Sequence, residues 1–476
     1  MSCFPKAIEA VRAISSDLVV LPGSQQYNEV LGSYFTELER DLRPSAFLLP
    51  RTATQVSEIV KILKPFGDGL RIAISGAGQQ STPGVANTQN GITIHLRNLQ
   101  GIRLDADNGV VSVAAGEQMG KVYDTVGAQG LAVVGNRHSS AGIGGDAVQG
   151  GLSYFSYARG FVCDNVVSYE IVLANGEIVH ANAETNKDLW ISLKGGGNNF
   201  GIVTRFDLAV FEQGQLWGGK VFYFPPSFPS QIQSLVAYLK DPTADTNVHI
   251  CLSLGYAPAM GDVLCMNDIF CTQAEKPKAL EPFADVQPQI EQMKSLRIGS
   301  LKDFTDEAFG SPVSNRVIKM STTVKADAGI LEYVVSIFHS SLESLRGLEN
   351  LLFSLSFEPL PVSLIEQAAA KGGNATGLKA SDGPLVIILL YTSWTNANDD
   401  KNVIEINKKA LEAIDEKARS RNVAATYRYL NYAFPNQDVV GSYGPESKAH
   451  LQAASKKYDP EGFWQTAGVG PFKVSI

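Results

Sequence analysis

The rhythm of apolar and polar positions changes twice along the chain. Early on, Val56, Ile59, Val60 and Leu63 recur at helical spacing. Thr52 and Gln55 precede them as a capping box, and Pro65 ends the run. Short apolar runs over 71–75, 91–96 and 110–114 predict strands, and Met119, Val122, Tyr123 and Val126 predict another helix. Apolar runs over 166–173 and 177–181 flank Asn175-Gly176, a strong hairpin signal. A short helix over 186–194 and a strand over 202–210 complete this part. Strand and helix alternate here, without the nucleotide fingerprint of the doubly wound fold.

The rhythm shifts near 211. Strand-like segments over 216–224, 247–256, 262–269, 352–358 and 385–392 are interleaved with amphipathic helices near 229–240, 325–345, 361–370 and 399–418. This predicts a second lobe, a sheet with helices packed on it. From about 424 the chain changes again. Tyr427, Tyr429, Tyr432 and Tyr443 come first, then a helix, then Tyr458-Asp459-Pro460-Glu461-Gly462. The fold class expected is α+β.

Composition narrows the function. A chain of 476 residues is long enough for two or more lobes. A net charge of -8 without a basic run argues against sequence-independent nucleic-acid binding. The most apolar stretch, 385–390, is strand length, so no membrane span is expected. Lys6, Glu9 and Arg12 interrupt any leader-like apolar run, which makes a cytoplasmic location the expectation, with secretion left open if a leader has been removed. Five cysteines form no disulfide framework, although Cys265 and Cys271 are close enough in sequence to pair. The six histidines are scattered without metal-ligand spacing, so no metal is expected. Asn374-Ala375-Thr376 is a glycosylation sequon, a triplet that also arises by chance.

Glycine is where the chemistry concentrates. Three clusters fall at 76–78, 142–151 and 195–201. Each by itself reads as a tight turn. Together they favour a large shared ligand, because glycine lets successive backbone amides approach and cradle a pyrophosphate.

In combination the motifs carry a specific pattern: RIAISGAGQQSTPG, GITIHLRNLQGI, GNRHSSAGIGGDAVQGGLSYFSYARGFVCDNVVSYEIVLANGEIV, LWISLKGGGNNFGIVTRFDL, YLNY and KYDPEGFW. The chain resembles the berberine bridge enzyme-like branch of the vanillyl-alcohol oxidase, or PCMH-type, flavoprotein family, nearly end to end. The resemblance implies a split FAD-binding domain of two α/β subdomains, formed by 1–210 and 424–476. A central substrate domain of antiparallel sheet covered by helices would span 211–423. It implies a pyrophosphate loop at Ser75, Gly76, Ala77, Gly78, Gln79 and Gln80. A second cofactor run would include Gly135, His138, Ser139, Gly142, Gly144, Gly145 and Gly150. Backbone contacts to the adenine end would come from Asn165, Val166, Gly201 and Ile202, and Asn431 of the Tyr-x-Asn motif would lie beside the flavin.

Against that pattern, both tether positions are changed. Family members carry a histidine where this chain has Gln79, and bicovalent members carry a cysteine where it has His138. A glutamine amide is a very poor nucleophile, so noncovalent FAD is expected. His138 exchanges protons near a flavin ring, fills the place of the cysteine, or serves as an unusual ligand or tether of the flavin. Ala141 stands where relatives gate oxygen, and its small side chain favours an oxidase with molecular oxygen as partner. The resemblance implies hydride transfer from a small organic molecule of secondary metabolism to flavin N5. Tyr429 is the first catalytic candidate, as base or as orienting phenol. Tyr391 and His249, each between apolar neighbours, are candidates for a second helper or for plain core residues. No carboxylate stands out as the base. A redox-neutral cyclase, isomerase or lyase on the same scaffold, a carbohydrate oxidase and an inactive binding relative remain alternatives. Substrate identity and oligomeric state are not readable from the sequence.

Overall fold

The computed structural model of the protein describes residues 4–307 and 315–474. Cys3 lies outside them. Cys265 and Cys271 are free, so the pairing left open above does not occur. Thr52 caps the helix Ala53–Leu63, its side chain accepting from the Gln55 amide at 3.2 Å. The reciprocal half of the capping box is displaced by one residue. Gln55 Oε1 accepts from the Arg51 amide at 2.7 Å instead. Pro65 then falls in the 3-10 turn Lys64–Gly69.

A four-stranded sheet runs in the order Val19–Val20, Ala46–Leu48, Ile92–His95, Ile72–Ser75, and its last three strands are parallel. The tail returns to its edge: the Ile72 amide donates to Ala467 O at 2.7 Å, and the Val469 amide donates to Ile72 O at 2.8 Å. A second sheet has the order Ile102–Asp105, Val110–Ala114, Ile202–Glu212, Val166–Val172, Ile178–Asn182, with Leu131–Val133 also pairing with Ile202–Glu212. Its last two strands form the expected hairpin, with Val172 opposite Ile178.

The third sheet has seven strands, all antiparallel: Arg297–Gly299, Leu216–Tyr223, Leu264–Cys271, Val248–Tyr256, Leu352–Leu360, Leu385–Trp394 and Arg316–Lys325. Arg316–Lys325 has no counterpart among the strands expected from sequence. The helix expected over 325–345 starts later, at Ala328, where the Asp327 side chain accepts from the Ile330 amide at 2.9 Å.

Cross-strand partners share a face, so register sorts this sheet cleanly. One face carries Ile269, Ile250, Leu252, Phe357, Leu355, Ile388, Leu390, Ile318 and Met320. Phe228 stacks on Phe357 with centroids 5.9 Å apart, and Phe338 stacks on Phe353 at 4.8 Å, so the helices Phe228–Lys240 and Ala328–Leu345 cover this apolar side. The other face carries Lys220, Asp268, Cys251, Ser253, Ser356, Glu358, Tyr391, Lys319 and Ser321. A sheet buried on both sides with one side this polar is built to face something other than core.

Candidate active site

The glycine-rich turns meet over that polar face. Gly78 has φ +72°, and a Cβ there would lie 3.2 Å from the Tyr34 ring. Gly142 lies so close to the other turn that its Cβ would meet Ala77 Cβ at 2.8 Å. Gly145 is the reverse case: nothing lies within 4 Å of a Cβ built on it, and its backbone is exposed. Ser75 ends its strand buried, and Gly76 and Ala77 are half-exposed. Gln80 Oε1 accepts from the amides of Ser81 and Thr82 at 2.8 and 3.2 Å, which closes the first turn.

The second run leaves Gly135, pressed against Met119 and Tyr123, and enters Asn136-Arg137-His138. Arg137 crosses to the sheet and forms a two-pronged ion pair with Glu358, at 2.8 and 3.0 Å, and donates to the Tyr432 hydroxyl at 3.0 Å. The His249 Nε2 atom lies 3.4 Å from the same guanidinium. Ser139 Oγ donates to Asp306 at 2.5 Å, so the run is anchored to the central lobe a second time. Asp146, within GIGGDAVQGG, is 8% exposed and accepts from Asn136 Nδ2 at 2.5 Å and from Asn431 Nδ2 at 3.1 Å. Burial pushes its carboxyl up to about 6, while the Asn136 hydrogen bond, Lys319 and Arg137 hold it down.

His138 is exposed to the cleft and its amide donates to Asn136 Oδ1 at 2.8 Å. Enclosure by the cleft walls pulls its imidazole down to about 3, followed by Lys319, Arg137 and Lys220. Water in an open cleft weakens the first cause, but the three cations remain, so the ring is neutral near pH 7. Tyr429 is 1% exposed, stacked on Phe161 at 6.3 Å and set edge-on to Tyr432 at 4.8 Å. Burial raises its phenol well above the usual value, and Tyr432 and Asp146 add to the rise. Arg137 opposes the rise, and the protonated phenol is a hydrogen-bond donor near neutrality. Tyr391, half-buried and pushed up to about 12 by burial, sits directly across the ladder from Lys319.

His249 is packed behind Arg137. It is 4% exposed, walled in by Tyr154 at 5.3 Å and Tyr157 at 6.0 Å, and burial followed by Arg137 keeps it well below its usual value. It lies on the polar face of the sheet, two residues before Cys251, against the Arg137 guanidinium. Asn165, Val166, Gly201 and Ile202 lie farther along. The Asn165 amide donates to Arg159 O and Phe161 O, Val166 O accepts from Trp190 Nε1 at 3.0 Å, and Ile202 pairs with Val172 beside Gly201. Gly144 is half-exposed at the start of the helix Ile143–Gln149, and Gly150 ends it.

Sequence reasoning missed Arg137, Asp146, Glu358 and Lys319. Arg137 and Asp146 sat inside quoted motifs but carried no spacing signal. Glu358 and Lys319 lie on strands whose polar face becomes visible only through register.

A dinucleotide flavin fits these features. Open glycine backbone at Gly145 suits close approach of a phosphate. Asn431 Oδ1 is buried with no hydrogen-bond partner and is free to accept from a ligand N–H. Among the described residues there is no cluster of His, Cys, Asp and Glu fit to hold a metal ion, and no helix is long and apolar enough to cross a membrane.

The model of an FAD binding domain matches residues 44–182. The chain is 32% identical to the FAD-dependent monooxygenase tpcD of Cochliobolus heterostrophus, over 97% of this chain and 90% of that protein. It is 30% identical to the bifunctional solanapyrone synthase of Alternaria solani, over 98% of this chain and 89% of that protein. In three dimensions it is similar to BBE-like 1 of Physcomitrella patens, with a TM-score of 0.78 and 18% identity, covering 98% of this chain and 99% of that one. Glycine turns, polar sheet face and relatives agree: the chain belongs to the berberine bridge enzyme-like branch of the vanillyl-alcohol oxidase, PCMH-type, family of FAD-dependent oxidoreductases.

Proposed function

We propose that the protein is an oxidase of a small organic metabolite in secondary metabolism, with FAD held noncovalently and molecular oxygen as final acceptor. The observation that carries the reading is the juxtaposition of two glycine turns and Asn431 with a polar sheet face across one cleft. FAD, when bound, supplies the acceptor for a hydride and passes the electron pair on to oxygen, giving hydrogen peroxide. Ser75 to Gln80, Gly142, Gly144 and Gly145 would hold the cofactor, and the free Asn431 Oδ1 would accept a hydrogen bond from it. Residues 1–210 and 424–476 then serve the flavin, and 211–423 the substrate. The polar sheet face orients the substrate, the Tyr429 phenol donates a hydrogen bond to it, and the neutral His138 ring accepts one.

Noncovalent binding rests on Gln79 and His138. The Gln79 amide makes no hydrogen bond with a described residue and offers no nucleophile. Acid precipitation tests this. Flavin released to the supernatant agrees with the reading, and a yellow pellet contradicts it.

The redox reading is tested by anaerobic mixing with candidate substrates. Bleaching of the flavin, and in air one hydrogen peroxide per product, are expected. Product that has gained an oxygen atom without peroxide would instead place the protein with the relatives named monooxygenases. A second reading, redox-neutral ring closure, draws on the likeness to a relative named bifunctional solanapyrone synthase. Product without bleaching and without oxygen use selects it.

A further inference from the structure

We propose that Lys319 anchors an acidic oxygen of the substrate, a carboxylate or an acidic enol ionised at neutral pH. This deepens the reading above and rests on it. Most charges in the cleft are already matched. Arg137 is bound to Glu358 by two hydrogen bonds. Lys220 is paired with Asp268 at 3.6 Å. Asp146 is bound by two asparagine amides. Lys319 alone on this face makes no ion pair with a described carboxylate within 4.0 Å, and the undescribed stretch 308–314 contains no acidic residue. Its ammonium instead lies 5.7 Å from the Phe35 ring and 5.5 Å from the Tyr432 ring.

Position strengthens the case. The Phe35 amide donates to Gly78 O at 2.9 Å, so Lys319 stands beside the first glycine turn while it projects from the sheet. Its cross-strand neighbour is Tyr391, which itself pairs with Ser354 on the next strand. Ser321 and Ser356 continue the same face, and Ser356 is hydrogen-bonded to Ser253 at 2.7 Å. A hydroxyl-lined floor with one unmatched cation at its end suits an oxygen-rich molecule with one acidic group. Leaving an ammonium unpaired in such a half-buried place is costly unless a ligand supplies the counter-charge. Burial lowers its pKa, an effect that Asp146 opposes, Arg137 adds to and Glu358 opposes.

The test is calorimetric titration of the flavin-loaded protein with acid and neutral probes in pairs. Cinnamate against methyl cinnamate reports a carboxylate, and dehydroacetic acid against its O-methyl ether reports an acidic enol. The expected result is at least tenfold tighter binding of one acid than of its neutral partner, lost in Lys319→Met and kept in Lys319→Arg. Equal binding of acid and neutral partner by the unaltered protein in both pairs overturns the proposal, whatever the variants do. So does an acid preference that survives in Lys319→Met. Flavin content and melting temperature are measured alongside. A chain that holds no flavin defeats the oxidase reading, whereas a flavin-loaded chain blind to charge defeats only this one.

Discussion

At the residue scale, the cleft is organised by two buried carboxylates with opposite arrangements. Glu358 is 6% exposed and ion-paired to Arg137, which is 12% exposed. Removing one partner of such a pair leaves a charge stranded, so Arg137→Ala is expected to cost about 3–5 kcal/mol, measured by urea unfolding. The double change Arg137→Met with Glu358→Leu is expected to cost less than Arg137→Ala alone, because no stranded charge remains. Asp146 behaves differently because its folded pKa, about 6, lies above the ordinary 3.8. Folding therefore favours its protonated form. Its contribution is fully present below about pH 3.8 and is lost as pH rises through about 6. In flavin-free protein, the stability difference between Asp146→Asn and the unaltered chain is expected to shift toward the variant by up to about 3 kcal/mol from pH 4 to pH 7. Unfolding midpoints across that range check the sign. A flat difference refutes it.

At the element scale, the two glycine turns touch. The Gly142 backbone sits where any side chain would strike Ala77, the Cβ itself approaching to 2.8 Å. Gly142→Val is expected to force the turns apart and weaken FAD binding tenfold or more, read by fluorescence as flavin is titrated into stripped protein. Unchanged affinity would show that the turns do not act together. The strand Arg316–Lys325 teaches a related lesson. On its helix-covered face Ile318, Met320 and Val324 alternate with Lys319, Ser321 and Thr323 on the other, and Thr322 interrupts the apolar row to reach Asp415 on the helix Asp400–Ser420. That broken alternation hid the strand from sequence reasoning, and with it the position of Lys319. The hairpin around Asn175-Gly176 was legible for the opposite reason, since its turn chemistry is local.

At the scale of the whole molecule, the tail packs back against the four-stranded sheet. Trp464 is fully buried, and the segment behind it lies along Ile72, the first residue of the strand that leads into the first glycine turn. Trp464→Ala is expected to destabilise by about 3–5 kcal/mol and to loosen flavin along with the fold. Thermal melts with and without added FAD measure both, and a variant with unaltered flavin retention would uncouple the tail from the site. A second clamp is Arg316, which bonds Asp400 at 2.5 and 2.6 Å and Asp41 at 2.7 Å, joining the early chain to the far edge of the seven-stranded sheet. The sequon at Asn374 is absorbed into this architecture, its amide donating to Asp164 at 2.8 Å and its carbonyl accepting from Thr376.

The sequence by itself determined the local pieces: the glycine turns, the capped helix after Thr52, the hairpin, the alternation of the central strands, and the absence of a tethering nucleophile at Gln79. Each depends on neighbouring residues or on the chemistry of one side chain. Only the tertiary structure decided which polar groups meet. Arg137 and Glu358 are more than two hundred residues apart in the chain, and Asp146 and Asn431 nearly three hundred. Such pairs leave no periodic trace, because register and docking, not propensity, bring them within bonding distance. The same physics packed His249 against Arg137 and placed Lys319, on a strand the pattern concealed, on the polar face without an ion pair among the described residues.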